Sequence, residues 1–242
     1  MDDGPKCVYH TVQFSFWQCG FRGQGKVSMS DDDKVAPCRP QARGLARRQA
    51  MLDAATELFL EKGFERTSLS DIVDRSKGSR STLYEQFGNK EGLLRAMVED
   101  ACSRLWQAIG SPADTPSFTE DALVELGVRF VQTALAPNAV AVYRIVVAEG
   151  HRVPDIAEFF FDSGPRIIQQ RLTNRFRTAS EAGELGRDAP EVMAQVFLGA
   201  VLGDLYVRQT LGLAPCCGAA QIEAHVRAAV RIFLDGVGRS MA

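Results

Sequence analysis

Residues 79–94 read SRSTLYEQFGNKEGLL, and they crowd three aliphatic hydroxyls, a phenol, an arginine and an amide into barely two helical turns. These types do not form a nucleophile–base pair or a metal-ligand set. Their chemistry is hydrogen bonding to polar edges and phosphates. The Arg80 guanidinium can fork onto guanine O6 and N7, and Thr82 can meet a base edge, a thymine methyl or a phosphate. Glu85 is acceptor-only, so phosphates repel it unless it accepts from cytosine N4 or pairs with a nearby arginine.

Such groups act only if a rigid frame presents them together. Leu83 and Phe87 stand four apart and share one helical face, the buried one, which leaves Ser81, Thr82, Tyr84 and Glu85 outward. Ser79 is the expected N-cap, and a helix of seven or eight residues at about 1.5 Å per residue is a rod of roughly 12 Å. The B-DNA major groove, about 12 Å wide, admits one. Before it, Ser68 and Asp71 have the spacing of a capping box that opens a helix running through Leu69, Ile72 and Val73 to about Arg75, with Ser76-Lys77-Gly78 as the turn. The pair reads as a supporting helix and a recognition helix, a helix-turn-helix at about 67–87. A first helix precedes it, with Met51, Leu52, Ala55, Leu58 and Phe59 on one face and Gly63 as its stop. Arg43, Arg47 and Arg48 precede or begin that helix and are either phosphate or minor-groove contacts or ordinary solvated charge.

The bulk numbers exclude other classes. The 242 residues carry a formal net charge of -2, with 45% hydrophobic and 24% charged residues, the profile of an ordinary soluble chain. No apolar run approaches the roughly 18 residues of a membrane span. Histidines 10, 151 and 225 offer neither a catalytic pair nor metal-ligand spacing, so no enzyme, metal or cofactor is expected. Cysteines 7, 19, 38, 102, 216 and 217 contain no CxxC pair and read as reduced thiols; the adjacent Cys216 and Cys217 leave open a thiol switch. Residues 1–42 show no periodicity and no signal-peptide pattern. They are expected to be a disordered extension, with Met29 a candidate natural start.

Beyond Trp106 the segment GSPADTPS breaks the pattern, and an all-helical region follows. Its expected helices are Phe118–Ala136, Asn138–Glu149, a long segment from Pro154 bent at Gly164-Pro165, one helix through MAQVFLGAVLGDLYVRQTL, and a last helix from about Ala219 to Gly236. The fold class is therefore all-α. It comprises an N-terminal three-helix helix-turn-helix domain with its connecting helix, residues 43–106, and a larger C-terminal helical domain, residues 107–242.

The stretch TSLSDIVDRSKGSRSTLYEQFGNKEGLL, with MLDAATELFLEKGFERTS before it, resembles the DNA-binding signature of the TetR/AcrR transcriptional regulators. The segments RIVVAEGHRVPDIAEFFFDSGPRIIQQRL and GELGRDAPEVMAQVFLGAV resemble the C-terminal domain of AefR-like members. The resemblance implies a DNA-binding set of Thr67, Ser68, Arg80, Ser81, Thr82, Tyr84 and Gln86. It also implies that Lys90 touches a phosphate, where the helix N-terminus already favours an anion. Two departures stand out. Lys77-Gly78 replaces a glycine and an apolar plug, which predicts looser packing of the two helices, and Ser81 replaces a glycine at the groove surface. The resemblance further implies a homodimer through the last two helices, with Val196, Gly199, Ala200 and Gly203 as close-approach positions. A pocket in the middle helices is implied too, with Phe130, Tyr143 and Phe159 as candidate lining for an apolar or amphipathic effector. The function implied is a cytoplasmic one-component regulator, a repressor that binds a palindromic double-stranded operator as a dimer and is released by a small molecule. The alternatives are a thiol-responsive regulator of the same fold, or a helical adaptor without DNA specificity.

Overall fold

The computed structural model describes residues 40–110, 118–153, 155–185, 189–213 and 218–238. The expectations for the leader up to residue 39, including Met29, and for Cys216 and Cys217 lie outside the described residues. Among the described residues every regular element is an α-helix: α1 Pro40–Lys62, α2 Leu69–Ser76, α3 Arg80–Phe87, α4 Lys90–Ile109, α5 Glu120–Ala134, α6 Pro137–Glu149, α7 Ile156–Ser163, α8 Pro165–Glu181, α9 Pro190–Leu202, α10 Leu205–Leu211 and α11 Ala219–Gly238.

Prolines open α6, α8 and α9 at positions where their missing N–H has no helical partner to lose. Helices α2, α3, α4 and α5 start on side-chain caps from Ser68, Ser79, Asn89 and Thr119. The segment expected as one helix through MAQVFLGAVLGDLYVRQTL is two. Gly203, at φ 49°, ends α9, and α10 leaves at 53° to it. An unbroken apolar rhythm hid that break, because the rhythm continues on both sides of the glycine.

Two hydrophobic cores fill the bundle. The first joins α1 to α4 through Met51, Leu58, Ile72, Leu83, Leu93 and Met97, and α6 and α7 close it with Val142, Ile145, Val146 and Ile156. The second holds α5, α8, α9 and α11 together around Phe176, Phe197 and Phe233, whose rings contact one another at centroid distances of 5.5–5.8 Å. Helix α4 runs through both, with Leu94 and Val98 in the first and Ile109 in the second. Among the described residues it is the one helix with buried side chains in both cores.

Cations tie α4 down at both ends. At its start the Lys90 ammonium donates to the carbonyls of Phe64, Glu65 and Thr67 at 2.9, 3.2 and 3.3 Å. Near its end Arg171 of α8 donates to the carbonyls of Trp106 and Gly110 at 3.3 and 2.8 Å, its guanidinium 4.8 Å from the indole centre. Both satisfy carbonyls that the local fold leaves without a helical partner.

Candidate nucleic-acid interface

Local capping makes the helix-turn-helix rigid before any tertiary contact is counted. Ser68 and Asp71 exchange hydrogen bonds, Asp71 N to Ser68 Oγ at 3.1 Å and Ser68 N to Asp71 Oδ2 at 3.0 Å. The bond from the Ser68 backbone N–H, above all, holds the Asp71 carboxyl below its ordinary range. Ser79 Oγ accepts from Thr82 N at 3.2 Å at the start of α3, and Asn89 Oδ1 accepts from Gly92 N at 2.7 Å at the start of α4. Gly92 is obligatory there, because a Cβ would stand 2.0 Å from the Phe87 carbonyl oxygen.

The turn between α2 and α3 is tighter than Lys77-Gly78 predicted. Lys77 adopts the left-handed conformation at φ 53°, where a glycine would be unstrained. The space above Gly78 is filled by Met51 of α1, whose Cε would lie 2.5 Å from an added Cβ. Met51 is buried, so the apolar plug is present but arrives from another helix. The expected loosening is corrected on that ground.

Leu83 and Phe87 are buried and fasten α3 to the first core, each contributing on the order of 1.5–3 kcal/mol. Outward stand Arg80, Ser81, Tyr84, Glu85 and Gln86, with Thr82 half-buried. Arg80 is held by a 2.9 Å bond to Ser70 Oγ of α2, which keeps its guanidinium at the mouth of α3. The Thr82 hydroxyl lies 2.8 Å from Ser79 Oγ, so it is partly engaged in the cap. Ser68 is exposed at the α2 N-terminus.

Two of the expected residues are engaged within the chain itself. Thr67 is 1% exposed, and its hydroxyl donates toward the carbonyls of Leu58 and Gly63 at 3.2 and 2.9 Å. It locks the α1–α2 loop and presents no side chain to a duplex. Lys90 has three N–H donors and gives them to three carbonyls, with its ammonium 4.4 Å from the centre of the Phe64 ring. A phosphate contact would require it to leave those partners. Arg48 stacks on Phe87 at 5.0 Å, and its Nη1 is buried, so it too is turned inward.

Lys77, outside the expected set, joins Arg47, which the sequence left between a phosphate contact and solvated charge, at this surface. Lys77 and Arg47 are exposed and line a cleft with Ala46, Ser79 and Thr82, beside the N-terminus of α3. Glu85 lies near the middle of the outward face of α3, and no ion pair is recorded for it among the described residues. Lys77 was readable as a turn cation, but only the left-handed turn aims it at this cleft.

A second concave site lies in the middle helices. Leu105 of α4, Phe130 and Ala134 of α5, Tyr143 of α6, Phe160 and Phe161 of α7, Ile168 and Gln169 of α8, and Leu198, Leu202 and Tyr206 of α9 and α10 enclose about 310 Å³. Phe130 and Tyr143 line it. Phe159 does not. It turns to the first core, where the Arg95 guanidinium lies 4.8 Å from its ring centre. Successive residues on a helix point about 100° apart, so the rotation of α7 brings Phe160 and Phe161 to the cavity instead.

Comparison with known proteins addresses the same two regions. Residues 51–97 match the family described as bacterial regulatory proteins, tetR family, and residues 121–236 match the AefR-like transcriptional repressor, C-terminal domain. The chain is 29% identical over 158 residues to the HTH-type transcriptional regulator UidR of Escherichia coli K12, covering 65% of this chain and 79% of that one. Among solved structures it is similar to the flavonoid-responsive regulator FrrA, at 30% identity and a TM-score of 0.64, covering 81% of this chain and 98% of that one. A TetR-family regulator from Mesorhizobium loti shares the fold at a TM-score of 0.70 and 22% identity, covering 80% and 98%.

Proposed function

The chain belongs to the TetR family of DNA-binding transcriptional regulators, and from that premise we propose that it is a homodimeric repressor released from a palindromic operator by a small molecule. The observation that carries the DNA-reading part is α3 itself. It is a two-turn helix, capped at its start and anchored by two buried side chains, with Arg80, Ser81, Tyr84 and Gln86 outward on one rigid rod. Arg80, preset by Ser70, is the base-reading cation, Ser81 and Tyr84 adjust register in the groove, and Ser68 meets the backbone. Lys77 and Arg47 supply phosphate contacts in place of Lys90. Glu85 accepts from a cytosine amino group or disfavours sequences lacking one.

Dimerisation is supported by an apolar face that α9 and α11 leave uncovered. Val192 and Val196 are 53% exposed and Ile232 is 70% exposed. Gly199 and Gly236, on the same two helices, have open space where a side chain would stand. The expected pairing through the last two helices therefore becomes pairing through α9 and α11, since α10 turns away at Gly203.

The cavity lined by Phe130, Tyr143 and Tyr206 is the effector site, and α4, which lends it Leu105, carries the signal. A ligand changes the spacing of two recognition helices only by binding one α4 disposition better than the other. A nearly complete switch requires about 5.5 kcal/mol of such preference. FrrA, a relative named for its response to flavonoids, is consistent with a small organic effector. The thiol-responsive reading gains nothing from Cys102, because burial pushes its thiol up to about 11 and leaves it protonated at neutral pH. The family is one of regulators rather than enzymes, and the cell compartment proposed is the cytoplasm, where the genome is. No single described helix is long and apolar enough to cross a membrane.

Fluorescence anisotropy of the full chain on genomic duplexes that it selects tests this reading. Tight, salt-sensitive binding reversed by a pocket ligand is the expected result. Binding that no pocket ligand reverses contradicts the release mechanism.

A further inference from the structure

The lining of the cavity among the middle helices bears on the charge as well as the size of what could fill it. This inference rests on its reading as the effector site. Its volume, about 310 Å³, sits at the small end of ligand pockets, which run from about 300 to 1,000 Å³. Five of its lining residues are aromatic, and the Tyr143 ring contacts Phe160 at 5.7 Å and Tyr206 at 5.0 Å. No charged side chain is among the described lining.

Arginines that adjoin the lining in sequence have partners of their own, and Arg166 also lies 5.6 Å from the centre of the Phe161 ring. Arg144, beside Tyr143 in sequence, donates to the carbonyls of Thr210 and Gln209 at 2.7 and 2.8 Å and so ties α10 to α6. Arg166 is paired with Asp162 at 2.9 Å. An anion entering the cavity would lose its hydration and find no opposite charge, a cost that neutral molecules escape.

The wall nevertheless carries polar groups, namely the hydroxyls of Tyr143 and Tyr206 and the amide of Gln169. Among the described residues these three side chains make no hydrogen bond. Burial above all, with Tyr143 and Cys102 adding to it, pushes the Tyr206 phenol well above the ordinary tyrosine range. It therefore stays a neutral donor and acceptor throughout physiological pH. Both tyrosines are half-buried and neither hydroxyl is among the fully buried unpartnered polar atoms, so both are open to a partner that enters the cavity. A ligand oxygen would be such a partner.

We infer that this cavity takes an uncharged aromatic molecule of one or two rings bearing a hydroxyl or carbonyl oxygen, with that oxygen seated between Tyr143 and Tyr206. The aromatic body stacks among Phe130, Phe160 and Phe161, and the oxygen end meets the two phenols. Carboxylates and phosphates, which aromatic faces do not attract, are excluded by the uncharged wall.

Four probes on one scaffold test it by calorimetric titration into the full chain: biphenyl, 4-phenylphenol, biphenyl-4-carboxylate and biphenyl-4-yl-trimethylammonium. One or two new hydrogen bonds predict that 4-phenylphenol binds about tenfold tighter than biphenyl or either ion. The double variant Tyr143→Phe/Tyr206→Phe keeps both rings and breaks no recorded intrachain hydrogen bond. In it the phenol advantage should fall below about twofold while biphenyl affinity stays the same. Tyr143→Phe alone should remove roughly half of the advantage on a logarithmic scale, and it serves if the double variant fails to fold. Tightest binding of either ion, a phenol advantage that survives the variants, or no binding by any probe would overturn the inference. Operator release is scored separately in the same samples. A phenol that binds by this rule yet leaves the duplex bound overturns the effector reading and leaves the pocket chemistry standing.

Discussion

The Lys90 ammonium lies 4.4 Å from the centre of the Phe64 ring and donates to the carbonyl of that same residue at 2.9 Å. One side chain at the start of α4 thus holds the α1–α2 loop through a ring and three carbonyls. Lys90→Met should lower the melting temperature, with a loss of about 1–3 kcal/mol for the charge-assisted bonds. The slope of operator affinity against salt should stay as it was. Lys77→Gln is expected to do the reverse, leaving thermal stability near that of the parent and reducing the salt slope by about one unit. Calorimetry paired with a salt titration checks both, and a lower slope in the Lys90 variant would restore it as a phosphate contact.

Arg80 is preset by Ser70, so its removal should change what is read rather than only how tightly. Arg80→Ala is expected to cost about 1–3 kcal/mol on the preferred operator and much less on mismatched duplexes. Ser70→Ala should produce a smaller loss in the same direction, because it frees the guanidinium without deleting it. Competition binding on matched and mutated duplexes measures this. A uniform loss on every duplex would remove Arg80 from base reading.

Gly92 stands where α4 passes the end of α3. With a Cβ placed 2.0 Å from the Phe87 carbonyl oxygen, Gly92→Ala must push the recognition helix and α4 apart. The expected outcome is a lower melting temperature together with weakened operator binding, measured by calorimetry and anisotropy. Gly88→Ala makes no such collision and strains only a φ of 72°, so its effect on binding should be milder.

Gly199 offers a clean test of self-association, because a Cβ there meets nothing within 4 Å in the single chain. Gly199→Glu should leave the fold intact, shift sedimentation from dimer to monomer and abolish tight operator binding. A monomeric variant that still binds tightly would show that one copy suffices.

What the residues alone revealed was local. The capping box at Ser68, the cap at Ser79, the Leu83–Phe87 stripe and the stop at Gly63 act within one or two turns, so spacing was enough to read them. The family assignment rested on the same local features. What escaped depended on tertiary placement. Thr67 looks like any exposed helix-start hydroxyl until the carbonyls of Leu58 and Gly63 are found above it. Three phenylalanines in a row, 159–161, cannot reveal which ring faces a cavity without the rotation of α7. The plug over Gly78 comes from Met51, 27 positions earlier in the chain, so no turn motif could contain it.

The central claim is that two copies of α3 read two halves of one duplex. Selection of genomic fragments by the purified full chain, followed by footprinting of the bound sites, tests it most directly. The account predicts a shared palindrome whose half-sites lie about 34–36 Å apart or a multiple of that, protected by the parent chain and unprotected with Arg80→Ala. Bound fragments with no common inverted repeat, or equal affinity for single-stranded RNA, would contradict it.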